Sequence, residues 1–446
     1  LRGDLVSTLE LLSQLIRNRC VNDGTRESGQ EVRSVETVAD YLGQRGTTVE
    51  PAPGRQSVVY RVPGDNPDAP ALLLLPHLDV VPVNPDGWEV DPFAAEISDG
   101  FVWGRGAIDM LNLTAAMVVV FGEHLRGETR IPGDLILAAV ADEEAAGFLG
   151  AKYLTEERLE LIDAPFVLTE VGYPSLPGRA GPLYPVTVGE KGPSWTKVRS
   201  RGTPGHGSTP FLSDNALAPI TTALARLFGA ESPVEITEEW RSLVAALGLD
   251  RETAERLLDP EQIDGALSDL AVDDPGMARY FHAVTHMTIS PNVLRAGIKS
   301  NMIPDQAEAE VDVRVLPGMD RDLVDGVLRK LMGSAGDELE LIPMADFPSI
   351  FSPRENPLWE AIGDAVEEHT GSRSLQPVIT SATTDARFLR RRGSIAYGVG
   401  LYDDRMSFAE FLTLFHGHNE RVSVDSIEKT TGLLRSVIRH FGARFV

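Results

Sequence analysis

Short, unbroken apolar runs alternate with amphipathic stretches over the first part of the chain. The run at 71–75 (ALLLL) is continuously apolar and too short for a helix, as expected of a strand covered on both faces. The segments at 134–141 (DLILAAVA) and 166–169 (FVLT) share that texture, and 113–125 and 150–161 between them carry helix-compatible spacing. Strands alternating with helices predict an α/β domain with a central, mostly parallel mixed sheet and flanking helices. Near 186 the pattern changes. Residues 186–199 alternate loosely, and 307–315 (AEAEVDVRV) alternates strictly, apolar at odd positions and charged at even ones. That predicts a strand with one wet face. Helices are expected at 215–228 and 321–332, with an acidic, helix-rich stretch at 236–283. After 353 the first texture returns, with a helix at 357–369 and a strand at 394–399 (SIAYGV). The expected organisation is one domain inserted in another. Residues 1–185 and 350–446 form the α/β domain, and 186–349 an α+β domain carrying the helical insertion.

Length supports that division, because 446 residues exceed what one core usually organises. A net charge of −25, from 66 acidic and 41 basic side chains, repels phosphate backbones and argues against a nucleic-acid partner. Cys20 is the only cysteine, so no intramolecular disulfide can form, which fits a reducing, cytoplasmic setting. The expectation for Cys20 itself is a buried, inert thiol. The N-terminal stretch LRGDLVSTLELLSQLI has helical spacing interrupted by Asp4 and Glu10, and reads as a surface helix, not a signal peptide. No apolar run approaches the ~20 residues of a membrane span, so no membrane partner is expected.

The chemistry lies where acids and imidazoles fall. In open α/β sheets, ligands collect beyond the carboxyl ends of strands. His77 and Asp79 come directly after the 71–75 run, in PHLDVV; Glu143 and Glu144 follow the 134–141 run; Glu170 follows 166–169. Asp109, in GRGAIDM, precedes a helix, and FHGHNE supplies His416 and His418. Singly, each has a bland explanation. A strand-end aspartate is usually a turn former, and a Glu-Glu pair usually a solvated helix start. Together they crowd one rim with carboxylates that cannot all stay ionised without cations. A mixed His/Asp/Glu set suits zinc, cobalt or manganese, and a shared carboxylate would let two ions fit.

Taken in order, PHLDVVPV, GRGAIDM, ADEEAAG, TEVG and FHGHNE resemble the metal-site motifs of the M20 metallopeptidases, the group of aminoacylases, glutamate carboxypeptidases, desuccinylases and dipeptidases. The resemblance covers nearly the whole chain. It implies that Asp109 bridges two metals, with His77 and Glu170 completing one site and Glu144 and His416 the other. Glu143 would be the general base toward a metal-bound water, and Asp79 would orient the His77 imidazole. It also implies a cis Asp109–Met110 peptide. His416 is favoured over His418 because the family spacing puts the ligand four residues before Glu420. The middle domain resembles the family's lid, which makes a homodimer contact. There His206, in GTPGHGSTP, matches a histidine that reaches a neighbouring active site and stabilises an oxyanion. Asn301 and Arg314 match residues that hold a substrate carboxylate, although an ion pair with Glu310 or Asp312 competes for Arg314. Backbone N–H groups around Gly400 are a further candidate for that carboxylate.

Three positions depart from the pattern. Leu111 stands where relatives commonly carry lysine, Thr169 and Val171 replace parts of an Asp-Glu-Gly-Gly run, and the 236–283 stretch exceeds the usual lid. Glu170, where aminopeptidase members tend to carry aspartate, leans toward carboxypeptidase or deacylase chemistry on a small peptide or N-acyl amino acid. The alternatives are a dipeptidase or aminopeptidase of the same family and a non-catalytic metal-binding scaffold. A nucleotide-binding reading of GRGAIDM lacks the G-x-G-x-x-G spacing and leaves His77 and Asp79 idle.

Overall fold

The structure is a computed structural model and describes residues 7–446, so the first six residues of the N-terminal helix expectation lie outside the described residues. From Ser7 onward the expectation is met. Ser7 caps the helix Thr8–Arg17 in a reciprocal capping box with Glu10, and Leu11, Leu12, Leu15 and Ile16 are buried. Among the described residues no helix is long and apolar enough to cross a membrane.

The apolar runs become the centre of a ten-stranded mixed sheet. Leu72–Leu74 lies between Leu135–Ala139 and Phe166–Thr169, parallel to both, and Ile395–Gly398 continues the parallel order. All residues of the first two strands are buried, because helices cover both faces. Antiparallel pairs enter toward the sheet edges. On one side the hairpin Thr47–Ala52 and Arg55–Val62 pairs onto Leu135–Ala139; on the other, Gly181–Glu190 pairs antiparallel with Ile350–Phe351 and parallel with Leu375–Thr380. The helices Leu111–Leu125, Pro357–Thr370 and Val424–Gly442 fill out the layers. The expected 150–161 helix is two pieces, Ala151–Glu157 and Leu159–Ile162, broken at Arg158.

The 186–199 segment is divided differently from the expectation. The strand Gly181–Glu190 stays in the central sheet, and the chain passes to a second sheet only at Gly192–Pro193. That second sheet is antiparallel, with Gln306–Val315 between Thr288–Ala296 and Thr196–Arg201, and Glu340–Pro343 outside the latter. Gln306–Val315 buries every alternate residue, as its period-two pattern requires, toward the helix Leu217–Leu227, on which Arg321–Met332 packs. The acidic stretch forms four helices, Glu238–Ala246, Arg251–Leu257, Ile263–Asp273 and Pro275–Thr285. It leans on the first domain. Tyr280 Oη donates to Ile379 O at 2.9 Å, and Pro275–Thr285 packs on Phe408–Leu414.

Candidate metal centre

Three central parallel strands end at the same rim and are followed there by acids or imidazole. His77 lies just beyond Leu72–Leu74, held by Thr114 Oγ1, which donates to its carbonyl at 2.8 Å. Glu170 directly follows Phe166–Thr169, and the short turn Glu143–Ala145 follows the Leu135–Ala139 strand. Asp109 ends the Gly-rich turn before Leu111–Leu125, and its peptide bond to Met110 is cis. His416 follows the Phe408–Leu414 helix in a left-handed conformation, φ 56°.

These side chains form two triads that share Asp109. His77 Nε2 lies 3.4 Å from Asp109 Oδ1 and 3.6 Å from Glu170 Oε2. His416 Nε2 lies 3.1 Å from both Asp109 Oδ2 and Glu144 Oε2. Asp109 thus offers one oxygen to each triad. Within each, the candidate ligand atoms lie within 4.8 Å of one another. His77 Nε2 and Glu144 Oε1 are buried without a hydrogen-bond partner. Two imidazoles and three carboxylates with free lone pairs directed inward fit a pair of borderline divalent ions. Burial, then the charge of Asp109, pushes the Glu144 carboxyl up to about 7. Burial and Glu170 hold Glu143 well above the ordinary carboxylate range. Burial opposes charge on His416 as well, but its bonds to Asp109 and Glu144 prevail and raise it to about 11. So much acid in so little solvent calls for positive charge.

The support beneath the rim differs in detail from the expectation. His77 Nδ1 is 3.0 Å from the backbone carbonyl of Asp79, whereas the Asp79 carboxylate is 3.6 Å away. That carboxylate accepts instead from the backbone N–H groups of Glu143 (3.2 Å) and Glu144 (3.1 Å) and from Asn22 Nδ2 (2.8 Å). Asp79 therefore orients His77 through its main chain and the two glutamates through its side chain. Below it, the fully buried Arg55 pairs with Glu31 at 3.0 Å and Asp142 at 2.6 Å. Glu420 entered the sequence reading only as a spacing marker. In the structure it is wholly buried and accepts from Arg105 Nη1 (2.7 Å) and from the N–H groups of Gly106, Ile108 and Asp109 (2.9, 2.8 and 3.1 Å). It shapes the turn that presents Asp109.

A cavity of about 260 Å³ opens over Asp109, Glu143, Glu144, Glu170 and His416. Arg314 reaches it from the second domain. Its Nε and Nη2 bond Asp312 at 2.8 and 3.2 Å, so the ion pair is present, and Nη1 donates to Thr383 Oγ1 at 2.7 Å. Gly400 lies elsewhere. It is buried behind Gly172 and Tyr402, off the cavity, and the 380–383 segment lines the wall instead. His206 and Asn301 are also off this cavity. They adjoin one another, Gly207 N donating to Asn301 O at 2.8 Å, and His206 Nδ1 faces Ser208 Oγ at 2.7 Å. His418 packs on the turn at Gly87. Leu111 is buried against Gly106, a setting unsuited to lysine. Val171 has φ 68°, a conformation that favours glycine, the residue the expected pattern carries there. Cys20 is buried, and burial raises its thiol to about 11.

Sequence reasoning passed over the TTDAR segment. Asp385 is buried with neither carboxylate oxygen hydrogen-bonded, and Arg387 lines the cavity while donating to the carbonyls of Ala146 and Thr384. An acid and a base after a strand were a usable signal.

Fold and site together define a two-domain α/β hydrolase with paired metal-ligand triads. The model of peptidase family M20/M25/M40 matches residues 73–440, and the chain belongs to that family. Mouse aminoacylase-1 is 26% identical over 435 residues, covering 94% of this chain and 92% of that protein. The structure of an M20 family metallo-carboxypeptidase from Sulfolobus solfataricus superposes with a TM-score of 0.73 at 19% identity, covering 98% and 99% of the two chains. Human carnosine dipeptidase 1 superposes with a TM-score of 0.71 at 16% identity, covering 98% and 96%.

Proposed function

We propose that this protein hydrolyses an amide bond whose leaving part is an amino acid with a free carboxylate, as in N-acyl amino acids or peptide C-termini. The observation that carries this is Arg314, which lines the same cavity as Glu143 and carboxylates of both triads. A planar fork of donors suits a carboxylate better than an ammonium would. The similarity to aminoacylase-1 along almost the whole chain favours the N-acyl class.

His77, Asp109 and Glu170 would hold one divalent ion and Asp109, Glu144 and His416 the other, with zinc the first choice and cobalt or manganese compatible. Bound there, such ions polarise the scissile carbonyl and make water acidic enough to attack at neutral pH. Glu143 does not belong to either triad, so its carboxylate is free to act as base. Its Oε takes a proton from the attacking water and delivers it to the leaving nitrogen. Arg314 and Thr383 hold the substrate carboxylate. Trp195, Phe347 and Phe415 line the remaining wall and exclude water from an apolar acyl or side chain.

The test is a panel of N-acyl amino acids, carboxypeptidase substrates and free-amine dipeptides, assayed with zinc, cobalt or manganese. Hydrolysis of the first two classes is expected, together with a rise in KM of at least tenfold for Arg314→Lys. Activity confined to free-amine dipeptides would overturn the carboxylate preference, and turnover unaffected by Glu143→Ala would overturn the mechanism.

A further inference from the structure

A second cluster of ligating side chains lies in the four-helix insertion, away from the central cavity. His282 and His286 are one turn apart at the end of Pro275–Thr285, and Asp264 lies in the first turn of Ile263–Asp273. Their candidate ligand atoms are all within 4.8 Å of one another. The two imidazoles stack with centroids 4.1 Å apart and planes 5° from parallel.

The hydrogen bonding of His286 decides what this cluster is for. Thr285 Oγ1 donates to Phe281 O at 2.6 Å, so its one proton is used. His286 Nδ1 faces that hydroxyl oxygen at 2.9 Å and the carbonyl of His282 at 3.1 Å. Both can only accept, so Nδ1 carries the proton. In a neutral imidazole Nε2 then holds a bare lone pair. This Nε2 belongs to a side chain 1% exposed, has no hydrogen-bond partner, and lies 3.2 Å from Asp264 Oδ1. A lone pair against a carboxylate oxygen is repulsive unless a cation stands between them. Protonating the ring is opposed by burial first and by the stacked His282 next, which push His286 down to about 4. The Asp264 carboxylate pulls the other way without prevailing, and the buried Lys191 Nζ donates to His286 O at 2.7 Å.

We infer that Asp264, His282 and His286 form a third metal site, taking one borderline divalent ion such as zinc through two imidazole nitrogens and a carboxylate. A nitrogen-rich, three-ligand set suits zinc over magnesium or calcium, with water completing the tetrahedron. The Nδ1–H of His286 bonded to a main-chain carbonyl is the usual arrangement that orients a ligating histidine. The role is structural. The ion would tie Ile263–Asp273 to Pro275–Thr285, which packs on the Phe408–Leu414 helix before His416 and leads into the second-domain strand Thr288–Ala296.

The test uses the full chain and zinc itself, followed by dialysis and elemental analysis. Asp264→Asn changes an exposed side chain and should fold normally; His286→Gln is the second variant. Each should lose one equivalent of zinc relative to the parent while retaining hydrolysis of N-acyl amino acids. In an Asp109→Ala background, which disables the shared carboxylate of the central triads, zinc should still raise Tm, and adding Asp264→Asn should abolish that rise. Unchanged stoichiometry in Asp264→Asn, or no zinc-dependent Tm shift in Asp109→Ala, would mean an imidazolium–carboxylate contact only. The outcome is independent of the proposed reaction, since a failed substrate panel leaves the zinc equivalent of Asp264 unaffected.

Discussion

Asp79 shows how one residue can serve two neighbours by different groups. Its carbonyl receives the His77 ring, and its carboxylate receives the N–H groups of Glu143 and Glu144. Asp79→Asn keeps the carbonyl and weakens the acceptors. It should therefore disturb the glutamate turn more than His77, lowering kcat by about 10- to 100-fold, the scale typical of groups that orient metal ligands. Selective loss of the ion held by His77 and Glu170, with the Glu144–His416 ion retained, would show instead that His77 is the side chain it governs. Arg55 lies one layer deeper, between Glu31 and Asp142. Removing one partner from a buried ion cluster strands the others, so Arg55→Met should cost about 3–5 kcal/mol in urea unfolding. The Glu31 carboxyl is already raised to about 8 by burial and the Asp79 charge, with Arg55 pulling against both. A raised carboxyl pKa means the folded state binds a proton more tightly than the unfolded chain. That group's contribution therefore favours folding at low pH and turns against it as pH climbs from about 4.5 toward 8. Removing Arg55 lifts that pKa further, so through Glu31 the variant's extra penalty should appear from about pH 8 upward, which urea titrations at pH 7 and pH 9 would measure.

The elements explain which residues could be located from sequence. Strands that are apolar throughout announce their own ends, so His77, Glu144 and Glu170 were legible as rim residues from local pattern alone. Glu420 was not, because its partners Arg105 to Asp109 stand more than 300 positions away and meet it only after the chain returns to the sheet. The loosely alternating 186–199 segment was ambiguous for a related reason. A period of two does not say which sheet a strand joins, and Gly181–Glu190 found parallel and antiparallel partners in the first domain. The insertion's helices were legible but not their docking, which depends on Tyr280 meeting a strand about 100 residues later. Glu420 also gives the element-scale prediction. Its carboxylate satisfies three main-chain donors and one guanidinium group in the turn before Asp109. Glu420→Gln keeps the shape but loses charge and turns one oxygen into a donor facing N–H groups. A loss of about 2–3 kcal/mol follows from leaving buried donors unsatisfied. Metal affinity should fall with it, because the displaced turn carries the aspartate common to both triads. A variant with normal stability and weakened metal binding would assign Glu420 to positioning alone.

At the scale of the whole molecule, two of the expected site residues stand in the second domain away from the central cavity. His206 and Asn301 adjoin each other off the cavity, with His206 paired to the exposed Met302, and the second domain also exposes Phe211, Leu212 and Ile298. Large apolar side chains left in water call for a partner surface. A second copy related by two-fold symmetry would bury them and bring each His206 toward the other chain's cavity. His206→Ala should then lower kcat by about 10²- to 10³-fold, the usual loss when one oxyanion donor is removed. Glu143→Gln should be inactive for a different reason, in the other domain. If the two lesions belong to sites shared between chains, unfolding and refolding an equal mixture will restore activity. Half of the dimers would be hybrids, each with one site free of both lesions, so recovery should approach about a quarter of the parent activity. If His206 acts within its own chain after domain closure, every site in a hybrid carries a lesion and the mixture stays inactive. Light scattering on the same samples separates these cases from a failure to associate, because a monomer mass with no recovery would remove the shared site altogether.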